Sequence, residues 1–357
     1  MRIGLLAPPW LPVPPPAYGG TEAVIDRLAR GLEAAGHEVL LFTTGDSTCP
    51  VAKSWVFEEC EAVRMGQATV ELRHALAGYD CMLEAGVDIV HDHTLAGPLH
   101  AGHFPDLPVV TTNHGPFTTE VREIFTAITP RVPIVAVSHA QAATAGNVPV
   151  ARVIHHGVDA DRFPVGKGDG GYVVFLGRMV ADKGAREAIL AARAAGVPIR
   201  LAAKMREPAE RRYFDERIRP LLGEGVECLG EVGGVRKLEL LAGARALVNP
   251  IRWPEPFGMV MIEAMACGTP VLTYPSGAAP EIVEHGATGM LCDGVDSLAR
   301  AIDDAGSLDR AACREAVERR FSVERMAGEH LDLFEEILSS RGATALASRP
   351  SAAVAAD

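Results

Sequence analysis

The sequence predicts an α/β protein made of two domains, each a doubly wound parallel sheet, and three observations carry that expectation. A chain of 357 residues exceeds one ordinary domain and suits two α/β units of about 150 residues each. Short apolar runs alternate with helical patterns along the chain, the arrangement that gives parallel strands covered on both faces. Near the middle, HHGVDADRFPVGKGDGGY (155–172) interrupts the alternation. It holds five glycines and a proline in 18 residues without periodicity, which marks a connection around Phe163–Gly171.

In the first domain, residues 1–165, strands are expected at Arg2–Leu6, Glu38–Thr43, Val87–His91, Val109–Thr112, Ile134–Val137 and Arg152–His155. After the first of them Thr21 can cap a helix whose stripe is Ala23, Val24, Leu28 and Leu32, and Gly36 ends it. In the second domain, 166–322, strands are expected at Tyr172–Leu176, Ile199–Ala203, Val226–Leu229, Ala246–Val248, Pro270–Thr273 and Gly289–Leu291. Two series of about six strands mean two sheets. The last helix, 323–338, is expected to pack back on the first domain, and the Ala/Ser-rich tail 339–357 has little to bury and is expected to be disordered.

A net charge of −12 argues against general nucleic-acid binding, which needs a basic face to displace counterions. The first 165 residues hold 10 Lys/Arg against 18 Asp/Glu, so no basic surface for anionic lipid is expected there. The seven scattered cysteines include no C-x-x-C pair and read as reduced core residues, which suits the cytoplasm. Prolines break the apolar run of MRIGLLAPPWLPVPPP too early for a signal peptide. No apolar stretch of about 18 residues is present, so no transmembrane helix is expected.

Three segments point to chemistry. Tyr18-Gly19-Gly20-Thr21-Glu22 follows the first strand, and paired glycines before a helix let backbone N–H groups approach a phosphate. A plain tight turn explains them equally, and the absence of G-x-G-x-x-G disfavours dinucleotide binding. Gly177–Gly184 places Arg178 and Lys183 at the C-terminal edge of a parallel strand, where open α/β sheets bind ligands. The helix that follows, with Ala185, Ala188, Ile189 and Ala192 on one face, adds its positive N-terminal pole. Arg178 and Lys183 read as a diphosphate clamp or as solvated loop cations.

The third segment, 249–271, carries Glu255 before Pro256-Phe257-Gly258 and Glu263 inside the next helix. The flanks of Glu263 (Val260, Met261, Ile262, Ala264, Met265, Ala266) are all small or apolar, so its carboxylate needs a hydrogen-bonding partner. A ribose diol would serve, as would an internal arginine or backbone group. The first-turn amides of Phe257, Gly258, Met259 and Val260 are free to meet a phosphate or sugar. Ten of the twelve histidines precede residue 157. Among them His91-Asp92-His93 allows either metal ligation or, as preferred here, the rim of an acceptor cleft with Tyr18. His155 and His156 read as packing or hinge contacts.

Taken in order, these segments resemble the retaining GT-B glycosyltransferases of family 4. The match rests on the E-x7-E spacing of Glu255 and Glu263, EPFG…EAMACGTPV, and Gly177-Arg178…Lys183-Gly184. Tyr18–Glu22, Gly36-His37-Glu38-Val39, His114-Gly115, Ser138, Gly157-Val158-Asp159 and SGAAPEIVEHGATG (276–289) extend it from residue 2 to about 292. The resemblance implies two Rossmann-like domains facing across a cleft, with the acceptor on the first and a nucleotide-sugar donor on the second. It implies that Arg178 and Lys183 stabilise the diphosphate leaving group in place of a metal. It also implies that Glu263 holds the ribose, and that Glu255 meets the sugar beside the amides of Phe257, Gly258 and Met259. His114 is implied near the anomeric centre, with the departing phosphate taking the acceptor's proton. No cofactor or metal is then required.

One departure is Trp253-Pro254-Glu255-Pro256-Phe257-Gly258, where the family often has an aromatic-Glu-Gly-Phe-Gly run; the Glu-Phe-Gly spacing survives. UDP-glucose and GDP-mannose are both candidate donors. The base is expected near Leu229–Val232 and Ala203–Lys204, and the acceptor is expected to be a glycan or small molecule. The competing readings are a nucleotide-sugar epimerase or a pyridoxal-phosphate phosphorylase on the same architecture, and a non-catalytic nucleotide-sugar-binding module. An epimerase needs a placed acid–base set, none of which stands out. None of the five lysines (Lys53, Lys167, Lys183, Lys204, Lys237) has a convincing Schiff-base setting. His114, Arg178, Lys183 and Glu255 are all present, which weighs against lost catalysis.

Overall fold

The computed structural model describes residues 1–347. It contains two sheets, parallel in every pairing. The first comprises β1 (Arg2–Leu6), β2 (Glu38–Thr43), β3 (Ala52–Trp55), β4 (Ile89–Asp92), β5 (Val109–Asn113), β6 (Ile134–Ala136) and β7 (Val150–Val153), in the order β3-β2-β1-β4-β5-β6-β7. The second comprises β8 (Val173–Arg178), β9 (Ile199–Lys204), β10 (Val226–Gly230), β11 (Leu247–Asn249), β12 (Val271–Thr273) and β13 (Gly289–Leu291), in the order β10-β9-β8-β11-β12-β13. Every expected strand forms, within a few residues at its ends. The seventh strand, β3, has no counterpart in the sequence reading because Ala-Lys-Ser-Trp is an edge strand without an apolar run.

Strand order reverses between β1 and β4 and again between β8 and β11. In such sheets the crevice outside the carboxyl ends at the reversal is where ligands bind. The apolar runs dictate the layers. Ile3 and Leu5 of β1 face Val24, Leu28 and Leu32 of helix α1 (Gly20–Ala34), whereas Leu6 faces Tyr79 and Met82 on the opposite side. The C-terminal helix, Val323–Ala347, lays Met326, Leu333, Phe334 and Ile337 into the same core as α1. At Gly31 an added Cβ would sit 2.7 Å from Val323, so this glycine permits the close approach of the two helices.

The tail departs from expectation. Residues 339–347, expected to be disordered, continue the C-terminal helix to Ala347; 348–357 lie outside the described residues. The glycine-rich connection is also not loose. Gly166, Gly168 and Gly170 donate to the carbonyls of Cys267, Ala242 and Gly243, which fastens it to the second domain. The chain passes between the domains at His155–Val158 and Phe321–Val323. There the Val158 amide bonds the Phe321 carbonyl at 2.8 Å. All seven cysteines are free, and Cys49, Cys267, Cys292 and Cys313 are buried. Among the described residues no helix is long and apolar enough to cross a membrane.

Candidate active site

The carboxyl ends of the two sheets face each other across a cleft of about 330 Å³. Tyr18, Gly19, Gly20, His114 and His156 line one wall; Arg178, Lys183, Glu255, Phe257–Val260 and Glu263 line the other.

Arg178 ends β8, and its Nε donates to Glu210 at 3.0 Å. Glu210 is fully buried and also accepts the amides of Arg206 and Glu207 at 2.8 and 3.0 Å. Burial works against its charge, but these donors and Arg178 outweigh it and hold the carboxyl below its ordinary range. The guanidinium is thereby aimed by a fixed anion. Lys183 pairs with Glu255 and stands 5.6 Å from the centre of the Trp253 ring. Gly184 follows at φ 79°, and any Cβ there would collide with the Pro250 carbonyl, so only glycine lets this turn close.

Glu255 is held from behind by SGAAPEIVEHGATG: Ala278 N–H bonds its carbonyl at 3.1 Å, and Ser276 Oγ bonds the Trp253 carbonyl at 2.8 Å. Gly258, at φ 95°, then turns the chain into the helix Met259–Ala266. The first amides of that helix have no carbonyl behind them and point their partial positive charge at the cleft.

Glu263 is buried and accepts hydrogen bonds from Arg27 Nη2 and Lys237 Nζ, both at 2.9 Å. Burial alone would raise its pKa, but Lys237 and then Arg27 outweigh it and bring it to about 2, from an ordinary 4.5. A carboxylate depressed in the folded state adds stability above its unfolded pKa and loses it as pH falls. Thermal melts between pH 4.5 and 2 should therefore fall more steeply for the wild type than for Glu263→Gln; equal slopes would show that the triad does not form.

On the opposite wall, α1 begins at Gly20, with Gly19 as its cap and no capping side chain. Thr21 thus lies inside the first turn and does not cap the helix as expected. A Cβ on Gly19 would sit 2.7 Å from Pro15, whereas Gly20 faces open space. The Tyr18 amide donates to Glu231 at 3.1 Å. Burial, then the charge of Glu255, pushes its phenol up to about 12, leaving it a neutral hydrogen-bonding group. His114 and His156 stack at 5.3 Å, and His156 meets Phe257 edge-on at 5.0 Å. Burial, then His330, brings His114 down to about 3, so it acts as a neutral imidazole.

Residues 18–162 match the family described as Glycosyltransferase Family 4, and residues 158–320 match Glycosyl transferases group 1. The chain belongs to glycosyltransferase family 4. It is 26% identical to a glycogen synthase of Mycobacterium tuberculosis, over 84% of this chain and 86% of that one. A solved glycosyltransferase involved in avilamycin A biosynthesis superposes with a TM-score of 0.74 at 28% identity, over 95% of this chain and 98% of the other. The Anabaena protein HepE, solved with UDP and glucose, gives 0.74 at 19% identity, over 94% and 99%. These likenesses establish the GT-B fold.

In this glycosyltransferase the cleft gathers Tyr18, Gly19, Gly20, His114, Arg178, Lys183, Glu255, Phe257, Gly258, Met259, Val260 and Glu263, all expected from sequence. Lys204, Glu231 and Val232, within the two segments where the base was expected or beside them, also line it. The acceptor-rim placement of His91 and His93 is incorrect. His91 is fully buried, bonded to Thr112 Oγ1 at 2.7 Å and packed on His330 and Phe334, because the C-terminal helix covers that face of β4. His93 is buried behind His114 rather than facing the cleft. Among the described residues no three His, Cys, Asp or Glu side chains are grouped to hold a metal ion.

Sequence reasoning passed over Arg27 and Glu210, weighed Lys237 only as a Schiff-base lysine, and read His156 as a packing or hinge contact although it lines the cleft. Glu207 and Glu210 form a capping box at the start of the helix Pro208–Tyr213, but with glutamate in place of Ser, Thr, Asp or Asn at the cap the sequence gives only a weak sign of it. Arg27 and Lys237 carry no local signal.

Proposed function

We propose that this glycosyltransferase moves a hexose from a nucleotide-diphosphate sugar of the UDP-glucose or GDP-mannose type to an acceptor hydroxyl, with retention and without a metal. The observation that carries the reading is that Arg178, Lys183 and the N-terminus of the Met259–Ala266 helix all line one cleft. Two fixed cations and free amides there are preorganised for the charge that develops on a departing diphosphate. Glu263 then lies where a ribose would extend, and Glu255 and the neutral His114 face the sugar. HepE, with its UDP and UDP-glucose complexes, favours the uridine series. The acceptor, a glycan or small molecule, enters along Tyr18 and Gly20.

The test is thermal stabilisation by UDP, GDP, ADP and their sugar conjugates, with Arg178→Ala as control. One nucleotide series should stabilise the wild type by about 2.7 kcal/mol at a hundredfold excess over its Kd, and the variant much less. Silence from every nucleotide at millimolar concentration would remove the donor reading. With the donor known, NMR of the first product should show the donor's own anomeric configuration, and chelator should leave the rate unchanged. An inverted product or a chelator-sensitive rate would contradict the corresponding part of the proposal.

A further inference from the structure

The turn that brings His114 to the cleft wall is fastened by a side chain that does not line the cleft. Gln141 is 4% exposed, and both ends of its carboxamide are in use. Oε1 accepts the Val137 amide at 2.7 Å, and Nε2 donates to the carbonyls of Asn113 at 2.8 Å and Gly115 at 2.6 Å. Reversing the carboxamide would set its oxygen against two carbonyls and its N–H groups against a third donor, so the network fixes its orientation.

In the register of β5 on β6, Asn113 lies opposite Ala136, and the next rung of a parallel ladder would join the Val137 N–H to the Asn113 carbonyl. The Gln141 carboxamide takes both groups and reaches on to Gly115, so it holds the chain on either side of His114. Gln141 itself sits on a single helical turn, His139–Ala142. A lone turn is a weak support, but here its first three amides are all bound. Ser138 Oγ accepts the Gln141 amide at 2.9 Å. The Glu281 carboxylate, from the second domain, accepts those of His139 and Ala140 at 2.9 and 2.6 Å.

We propose that Gln141 is a positioning residue for sugar transfer, fixing the backbone of His114 so that the ring meets the reacting sugar in one place. The part His114 plays at the sugar rests on the donor reading above; the clamp does not. A glutamine that only finished the sheet would need its bonds to Val137 and Asn113. The bond to Gly115, two residues past the end of β5, serves no strand pairing and closes the turn around His114. Asn113 Oδ1, which accepts the Gly115 amide at 3.1 Å, tightens the same turn.

Gln141→Met keeps the length of the side chain and removes its hydrogen bonds. Assayed below its melting transition, it should lower kcat by roughly tenfold at nearly unchanged donor KM. The deciding comparison is with His114→Ala. Adding Gln141→Met to that variant should cost less than about twofold in kcat, because two changes that act through one group do not add. Additive losses in the double variant overturn the proposal, and so does a Gln141→Met protein with wild-type kcat. The chain has only two glutamines, Gln141 and the exposed Gln67. Ligand-free protein carrying ¹⁵N in its glutamine side-chain amides should therefore show one slowly exchanging pair of protons, retained in Gln67→Ala. Fast exchange of both pairs overturns the proposal even if Gln141→Met fails to fold. A slow pair in a protein that binds no nucleotide sugar would uphold the clamp and remove the donor reading alone.

Discussion

Lys183→Ala should lower kcat by about 10²–10³-fold, with a smaller effect on donor binding. Lys183 Nζ is paired with Glu255 and only 13% of its side chain is exposed, so its charge acts in a site with little water to replace it. In the proposed reaction the charge it faces grows as the diphosphate leaves, and an interaction that strengthens in the transition state appears in kcat more than in KM. The substitution also leaves the Glu255 carboxylate, 17% exposed, without its cation, so stability should fall as well. Lys183→Ala combined with Glu255→Gln tests the stability part alone: the melting temperature should recover, and because Glu255 itself lines the cleft the rate effect is read from Lys183→Ala below its own melting transition. A single variant with wild-type kcat on a saturating donor would show that the leaving group is stabilised elsewhere.

The largest expected stability effect lies outside the cleft. Arg310 sends its guanidinium to the carbonyls of Gly166, Ala244, Ala242 and Cys267 and to Thr269 Oγ1, at 2.7, 3.2, 3.0, 3.3 and 2.7 Å. This one side chain joins the glycine-rich connection to the end of the helix Gly234–Gly243 and the turn before β12. Removing it takes the Arg310 donor from the Gly166 and Ala244 carbonyls, each costing about 1–3 kcal/mol if buried, while the Ala242 and Cys267 carbonyls keep the Gly168 and Gly166 amides. Arg310→Ala should therefore destabilise the second domain by about 3 kcal/mol or more, read as a lower urea midpoint. Arg310→Lys should recover little, since a compact ammonium cannot span a fork of donors. Below its lowered midpoint the Arg310→Ala protein should turn over normally, because none of its partners lines the cleft. A midpoint within 0.5 kcal/mol of wild type, the usual range for surface changes, would mean that the network is solvated.

Much of the molecule was legible because its signals are local. β1, β2 and β13 appear at their expected bounds, since parallel strands buried on both faces read as short continuous apolar runs. Arg178, Lys183, Glu255 and Phe257–Val260 line the cleft because each follows a strand or opens a helix, and the strand ends of such sheets define the crevice. The paired glycines before α1 and the positive-φ Gly184 and Gly258 carried the same kind of information within a few residues.

The failures share a cause. His91 and His93 look like rim residues on an isolated strand, but a helix more than 230 residues later covers His91 and His114 stands in front of His93, and nothing near position 91 records either. Glu263 announced that it needed a partner, yet Arg27 lies 236 residues before it on the other domain. Thus the sequence by itself determined the two sheets, the crevice between them and the groups that the second sheet places on its wall. Only the tertiary structure decided which charges neutralise one another, which histidines reach the cleft and how the connection is fastened. The physical reason is that backbone pattern is set by neighbours in the chain, whereas ion pairs and burial are set by neighbours in space.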